Sequence, residues 1–300
     1  MENTRTKTTR NSLILLLTAA IWGMAFVSQS KGMDYMHPFT FNGVRSLIGA
    51  ASILVYILIS RKIAGDKAAP LDWKLNVKAG LLCGIFLTIA STLQQFGIKY
   101  TSVGKAGFIT TLYIIFVPMF GIFLKKKVAP VVWAAAVMAA VGMYLLCMTE
   151  SLRLGAGDIM VFLCAIAFAI QIMTVDHYAA RIDGAVVSCI QFTVCGVVCC
   201  IGALIWGQPT FGQLQEGLGA LLYAGVLSCG VGYTLQIVGQ KGLNPTVAAL
   251  IMSLESAFAA LGGWLILHQT MTPWELLGCG LVFAGVVLSQ LPVGMFAKKS

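Results

Sequence analysis

The sequence predicts an all-α membrane protein: ten transmembrane helices arranged as two inverted five-helix repeats. Three observations carry that prediction. Hydrophobic residues make up 58% of the 300-residue chain and charged residues only 10%, against roughly 25% charge in a soluble globular domain. So little polar surface cannot coat a globule in water. The apolar residues gather into ten runs of 18–23 residues or so. At about 1.5 Å rise per residue, each can cross a hydrocarbon core about 30 Å thick. Finally, "TLQQFGIK" at 92–99 returns as "TLQIVGQK" at 234–241, 142 residues later, with five of eight positions identical.

The runs lie near residues 12–30, 39–60, 77–98, 105–124, 131–148, 158–175, 185–206, 217–239, 246–267 and 274–293. Lipid offers the backbone no hydrogen-bond partners, so each should be a helix. The first continues through Trp22 and Phe26 without a small-x-small cleavage site, so it reads as a retained helix rather than a signal peptide. The second holds Arg45 about six residues in, where snorkelling to the outer interface is favoured over carboxylate binding. The third carries Gly80-Leu-Leu-Cys-Gly84, read as close helix packing, and ends in the first copy of the repeated phrase. The fourth contains Tyr113, and "VAP" at 128–130 opens the fifth. The sixth starts at Gly155-Ala-Gly-Asp158. That stretch matches an intramembrane aspartyl protease pattern, but no earlier run holds a partner aspartate at depth to share the proton. All nine cysteines fall inside the runs, at neither zinc nor disulfide spacing, and read as small core residues. No metal or other cofactor is expected. The eighth run ends in the second copy of the phrase. The ninth holds Glu255 near its middle, at a depth of about 13 Å. Thr272-Pro273-Trp274-Glu275 fits a capping box that starts the tenth.

The net charge of +9 sets topology rather than nucleic-acid binding. With ten spans, fifteen Lys and Arg fall on the side of the termini, and only Lys31, Lys99, Lys105 and Arg153 on the other. By the positive-inside rule both termini are cytoplasmic, in a cytoplasmic (inner) membrane protein. Five runs separate the two copies of the phrase. An odd number of crossings reverses direction, so the copies point oppositely. One integral membrane domain is then made of residues 1–150 (repeat 1, helices 1–5) and 151–300 (repeat 2, helices 6–10), an inverted-topology repeat. "VAP" and "MTP" at 271–273 pair in the same sense, as do "AIWGMAFVS" at 20–28 and "IAFAIQIMT" at 166–174.

"AAIWGMAFV", "FNGVRSLIGA", "YTSVGKAGFITTLY" and "SLESAFAALGGWLILHQTMTPWELLGCGLVFAGVVL" together resemble the EamA-type branch of the drug/metabolite transporter superfamily along the whole chain. The chain differs from the family's frequent proline at Tyr113 and Ser256, and from its frequent glutamate at Lys126 and Gln269. The resemblance implies a secondary transporter, not an enzyme. It would move a small metabolite, an amino acid or related compound, by export through alternating access; a channel-like facilitator or a multidrug exporter is the alternative. Its partners are the solute, protons and lipid, and it is expected as a monomer or weak dimer.

Polar groups inside membrane helices are costly and mark candidate sites. Glu255 is read as a substrate-amine contact or a proton-coupling carboxylate, against a structural carboxylate bonded to a neighbouring helix. Gln94, Gln95 and Gln236, the last on one stripe with Tyr233 and Gln240, either line a polar cavity or cross-link helices. Gln171 and Gln191 are weaker cases of the same kind. Trp22 and Tyr113 clasp a substrate or simply pack.

Overall fold

The computed structural model describes residues 2–65, 70–101, 103–124, 129–146, 155–267 and 272–290; Lys126, Cys147 and Gln269 lie outside them. Every regular element among the described residues is helical. In chain order they are α1 (Glu2–Tyr35), α2 (Pro38–Ala64), α3 (Trp73–Tyr100), α4 (Val103–Thr111), α5 (Tyr113–Phe123), α6 (Pro130–Leu146) and α7 (Ala156–Tyr178). Then come α8 (Gly184–Gly202), α9 (Phe211–Glu216), α10 (Leu218–Leu222), α11 (Tyr233–Gln240), α12 (Pro245–Met252), α13 (Glu255–Leu267) and α14 (Pro273–Gln290). Two π-helical segments, Ala203–Gly207 and Tyr223–Gly232, continue α8 and join α10 to α11.

The ends of the helices follow from local chemistry. His37 Nδ1 accepts from the Phe39 amide at 3.3 Å, with Pro38 as the first residue of α2. Asp72 Oδ1 accepts from the Leu75 amide at the start of α3, and Asp183 Oδ1 from Ala185 and Val186 at the start of α8. Asn244 and Pro245 open α12 in the same way. Each such side chain satisfies amides that helix geometry leaves without a partner. The protease-like Gly155–Asp158 stretch is also a cap: the Asp158 carboxylate accepts from the Gly155 amide at 2.9 Å and from Thr101 Oγ1. Helix α14 begins at Pro273, directly after Thr272, as the capping box predicts.

Eight helical segments among the described residues are long and apolar enough to cross a membrane. Two further apolar helices, Pro130–Leu145 and Leu276–Ser289, are shorter. The fourth and ninth runs are each one span whose regular α pattern is interrupted by a tight turn, at Leu112 and at Ser253-Leu254, with Leu112 and Ser253 still right-handed helical.

Large apolar side chains such as Leu58, Phe211, Trp206 and Leu265 face outward, while Asn42, Arg45, Gln95, Gln171, Gln191 and Glu255 are buried. That distribution suits lipid as the solvent. With no hydrophobic drive between helices in lipid, close backbone approach and polar contacts hold them together. α3 packs against α7 and α8, α2 against α8 and the Tyr223–Gly232 segment, α1 against α11 and α13, and α6 against α14. The glycine of each repeated phrase stands at one of these crossings. A Cβ on Gly97 would run into Val161 of α7, and one on Gly239 into Leu15 of α1. Gly80 and Gly84 likewise meet Ile190 and Val194 of α8, which is the packing role expected of that pair.

Candidate functional site

The two interruptions meet. Tyr113 is the first residue of α5 and Glu255 the first of α13, and the Tyr113 hydroxyl donates to Glu255 Oε1 at 3.1 Å. Their separation is 142 residues, the same as between the two copies of the repeated phrase. The residues just before them behave alike. Thr111 Oγ1 donates back to the Gly107 and Phe108 carbonyls, Ser253 Oγ to Leu250 O and Ser256 Oγ to Ser253 O. Hydroxyls thus take up carbonyls that a broken helix would strand in lipid.

Around this contact lies a small cavity of about 40 Å³, room for a water molecule or two and not for a metabolite. Trp22, Gln94, Tyr113, Gln171, Gln236 and Glu255 all line it. Tyr113 is 2% exposed and Glu255 4%, so their contact is buried in this conformation. Gln171 and Gln236 pair reciprocally: each amide Nε2 donates to the other's Oε1, at 3.5 and 3.2 Å. Gln94 Nε2 donates to Thr110 Oγ1 at 3.3 Å. The Trp22 indole N–H points to the Ser228 carbonyl at 3.4 Å, and its ring lies 4.5 Å from that of Tyr233. Phe192 meets the same Tyr233 edge-on at 4.9 Å. The result is an aromatic wall on one side and amide and carboxyl groups on the other.

Gln95 is the exception among the expected site residues. It is fully buried outside the cavity lining, and its Nε2 donates to the Gln29 carbonyl at 3.2 Å. Gln95 points about 100° round the helix from Gln94, toward α1 rather than into the cavity. Gln95 ties α3 to α1 instead. Gln240 does the same for α11 and α7 through the Ile172 carbonyl. Gln191 is fully buried with both side-chain atoms unpartnered, outside the lining.

Sequence reasoning missed several lining residues. Gln29, Ser228 and Cys229 belong to the cavity, as does Tyr233, which shares the stripe of Gln236. So does Arg45, which does not snorkel to the interface: it is 6% exposed, two turns into α2. The π-helical segment that brings Ser228 and Cys229 to the cavity has no simple sequence signature, though such insertions gather at functional sites. A signal for the breaks was present: Thr111-Leu112-Tyr113 and Ser253-Leu254-Glu255 are both hydroxyl–leucine–polar triplets 142 residues apart.

A second cleft, about 470 Å³, opens beside α11 between the end of α2, the start of α3 and the α7–α8 turn. Arg61, Arg181 and Lys241 line it with Asp72 and Asp183. Thr234 and Val238 of α11 face this cleft, while Tyr233 and Gln236 of the same helix face the small cavity.

Comparison with known proteins agrees with this architecture. The model of the EamA-like transporter family matches twice, over residues 10–148 and 155–291. An uncharacterized transporter of Archaeoglobus fulgidus is 28% identical over 93% of this chain and 85% of its own length. The uncharacterized transporter YwfM of Bacillus subtilis is 27% identical over 94% of each. The threonine/homoserine exporter RhtA of Escherichia coli is 29% identical over 49% of this chain and 47% of its own. A solved crystal structure superposes with a TM-score of 0.76 over 96% of this chain and 99% of that one, at 17% identity, a likeness of fold alone. The protein is a multi-pass membrane transporter, and it belongs to the EamA-like family of the drug/metabolite transporter superfamily.

Proposed function

We propose that this protein is a secondary carrier that exports a small metabolite, an amino acid or a close relative of one, across the cytoplasmic membrane by alternating access. One observation carries the reading: a buried polar contact and the cavity around it lie where two spans with irregular turns meet, and those turns lie 142 residues apart. Carriers built from two repeats hold their solutes at the repeat interface, where helix geometry is irregular. Trp22, Gln94, Tyr113, Gln171, Gln236 and Glu255 contact the solute, and Glu255 carries the coupling proton.

The frame is ten spans in two inverted five-helix units, residues 1–150 and 151–300, with both termini cytoplasmic. The helix pairings support it. Exchanging the two halves turns the α3–α7 packing into that of α11 on α1, and the α2–α8 and α6–α14 pairs map onto themselves. Within the α6–α14 pair, Gly142 meets Gly278 and Val282, while Gly285 meets Ala135 and Ala139, which is the reciprocity of a two-fold contact. Two related units can exchange conformations. Rocking one against the other would part Tyr113 from Glu255 and open the cavity to alternate sides. A single chain encloses the pathway, so the monomer is the working unit. The name of RhtA supports an amino acid as the solute and export as the direction.

The test is flux of an amino-acid and metabolite panel in liposomes, with and without a pH gradient. A carrier saturates with solute concentration and shows counterflow. Linear flux without counterflow would instead make the protein a channel-like facilitator, and preference for bulky drugs would make it a multidrug exporter.

A further inference from the structure

We infer that Arg45 forms an anion subsite of the central cavity, and that the carried solute is a zwitterion whose carboxylate pairs with it. The inference rests on the carrier reading above and names the class of solute. Arg45 and Glu255 are the charged residue types in the cavity lining. Glu255 is engaged by Tyr113. The Arg45 Nε is buried without a hydrogen bond, and the guanidinium lies over the face of Phe41, 5.4 Å from the ring centroid. A buried donor of a cationic group left without an acceptor is costly. In a membrane span it points to a partner that arrives with the cargo.

The surroundings favour an oxyanion. A guanidinium offers a planar fork of donors that matches a carboxylate in two parallel hydrogen bonds. Ser46 and Ser91 line the same cavity, and both hydroxyls sit 3.4 Å from Cys195 Sγ. A thiol is a weak partner, so both hydroxyls can turn to a better acceptor. Glu255, on α13, supplies the acceptor that an ammonium group needs. Trp22, Tyr233 and Phe192 cover the remaining wall with aromatic surface. One cationic donor, one carboxyl acceptor and an apolar wall fit an α-amino acid with its carboxylate at Arg45, and do not fit an amine or a neutral drug.

The experiment uses the full chain in liposomes with L-α-amino acids, their carboxamides and the corresponding amines as probes. The wild type should prefer acids over carboxamides by at least about tenfold, and Arg45→Gln and Arg45→Met should erase that preference. Removing a buried cationic donor that lacks an acceptor should also raise the melting temperature of the substrate-free protein, whereas loss of a structural residue would lower it. Variants that retain the acid preference overturn the assignment of Arg45. A wild type that carries amines or carboxamides as readily as acids overturns the zwitterion and leaves the carrier intact. A folded wild type that carries no probe overturns the carrier reading, and this inference with it.

Discussion

The two halves of the chain share a skeleton and differ in charge. At a separation of 142 residues, Gln29 stands with Gln171, Gln94 with Gln236 and Gly97 with Gly239. At the same separation Trp22 stands with Cys164, Arg45 with Val187 and Tyr113 with Glu255. The first set does the same work twice. Both glycines let a helix approach the first helix of the other half, and all four glutamines line the cavity. The second set puts each charged or large aromatic group on one side of the correspondence. Val187 is buried in a separate apolar cluster and Cys164 in the main core. In the carrier proposed above, repetition supplies a frame with two related states, and divergence supplies a cavity lined by one cationic and one acidic residue type.

The largest effect should come from the divergent set. In Glu255→Gln the Tyr113 hydroxyl keeps an acceptor, so the protein should fold with nearly wild-type stability. Uptake driven by a pH gradient should fall to background, while counterflow of solute persists. Unchanged gradient-driven uptake in liposomes would remove Glu255 from coupling and leave the asymmetry without a chemical purpose.

The shared set should respond evenly. Gly97→Val and Gly239→Val each push a branched side chain into the opposing helix, at α7 and at α1 respectively. Each should cost about 1–3 kcal/mol, read as a similar drop in melting temperature of the detergent-purified protein. A large cost at one position and none at the other would mean that the matching glycines do not hold matching crossings.

Much of this division was legible before any coordinates. Composition marked the membrane class, and the five identities of the repeated phrase already held the 142-residue separation that Tyr113 and Glu255 also show. The weaker pairing of 20–28 with 166–174 runs at 146 residues, one helical turn away from it. The breaks at Leu112 and Ser253-Leu254 were not foreseen, because each lies inside an apolar run whose composition is that of an unbroken helix. Only the neighbouring hydroxyls reveal how the stranded carbonyls are satisfied. Arg45 was misplaced because depth along a helix says nothing about which way a residue faces. Gln95 was misplaced because sequence adjacency to Gln94 hides their divergence around the helix axis.

A smaller effect tests the join between the halves. Tyr113→Phe deletes the hydrogen bond from Tyr113 Oη to Glu255 Oε1 that joins the two halves. It should cost about 1–2 kcal/mol and shift the balance toward an open cavity, seen as faster alkylation of Cys229, which lines it. Equal labelling rates in the variant and the wild type would mean the contact does not help to keep the site closed.

The smallest effect distinguishes the helices that follow the first span of each half. α8 is capped by Asp183, whereas α2 is capped by His37, whose neutral Nδ1 must accept from the Phe39 amide. Partial burial, and then the cation of Lys99, lower the His37 pKa below its ordinary 6.5. The folded state then binds this proton less readily than the unfolded chain. By linkage, the stabilisation is fully present above pH 6.5 and is lost as the pH falls through the lower folded value. Melting curves at falling pH should therefore show the wild type losing a little stability relative to His37→Asn, whose side chain caps a helix without titrating. If the two proteins lose stability in parallel between pH 7.5 and 5.5, protonation of His37 is not what loosens this end of α2.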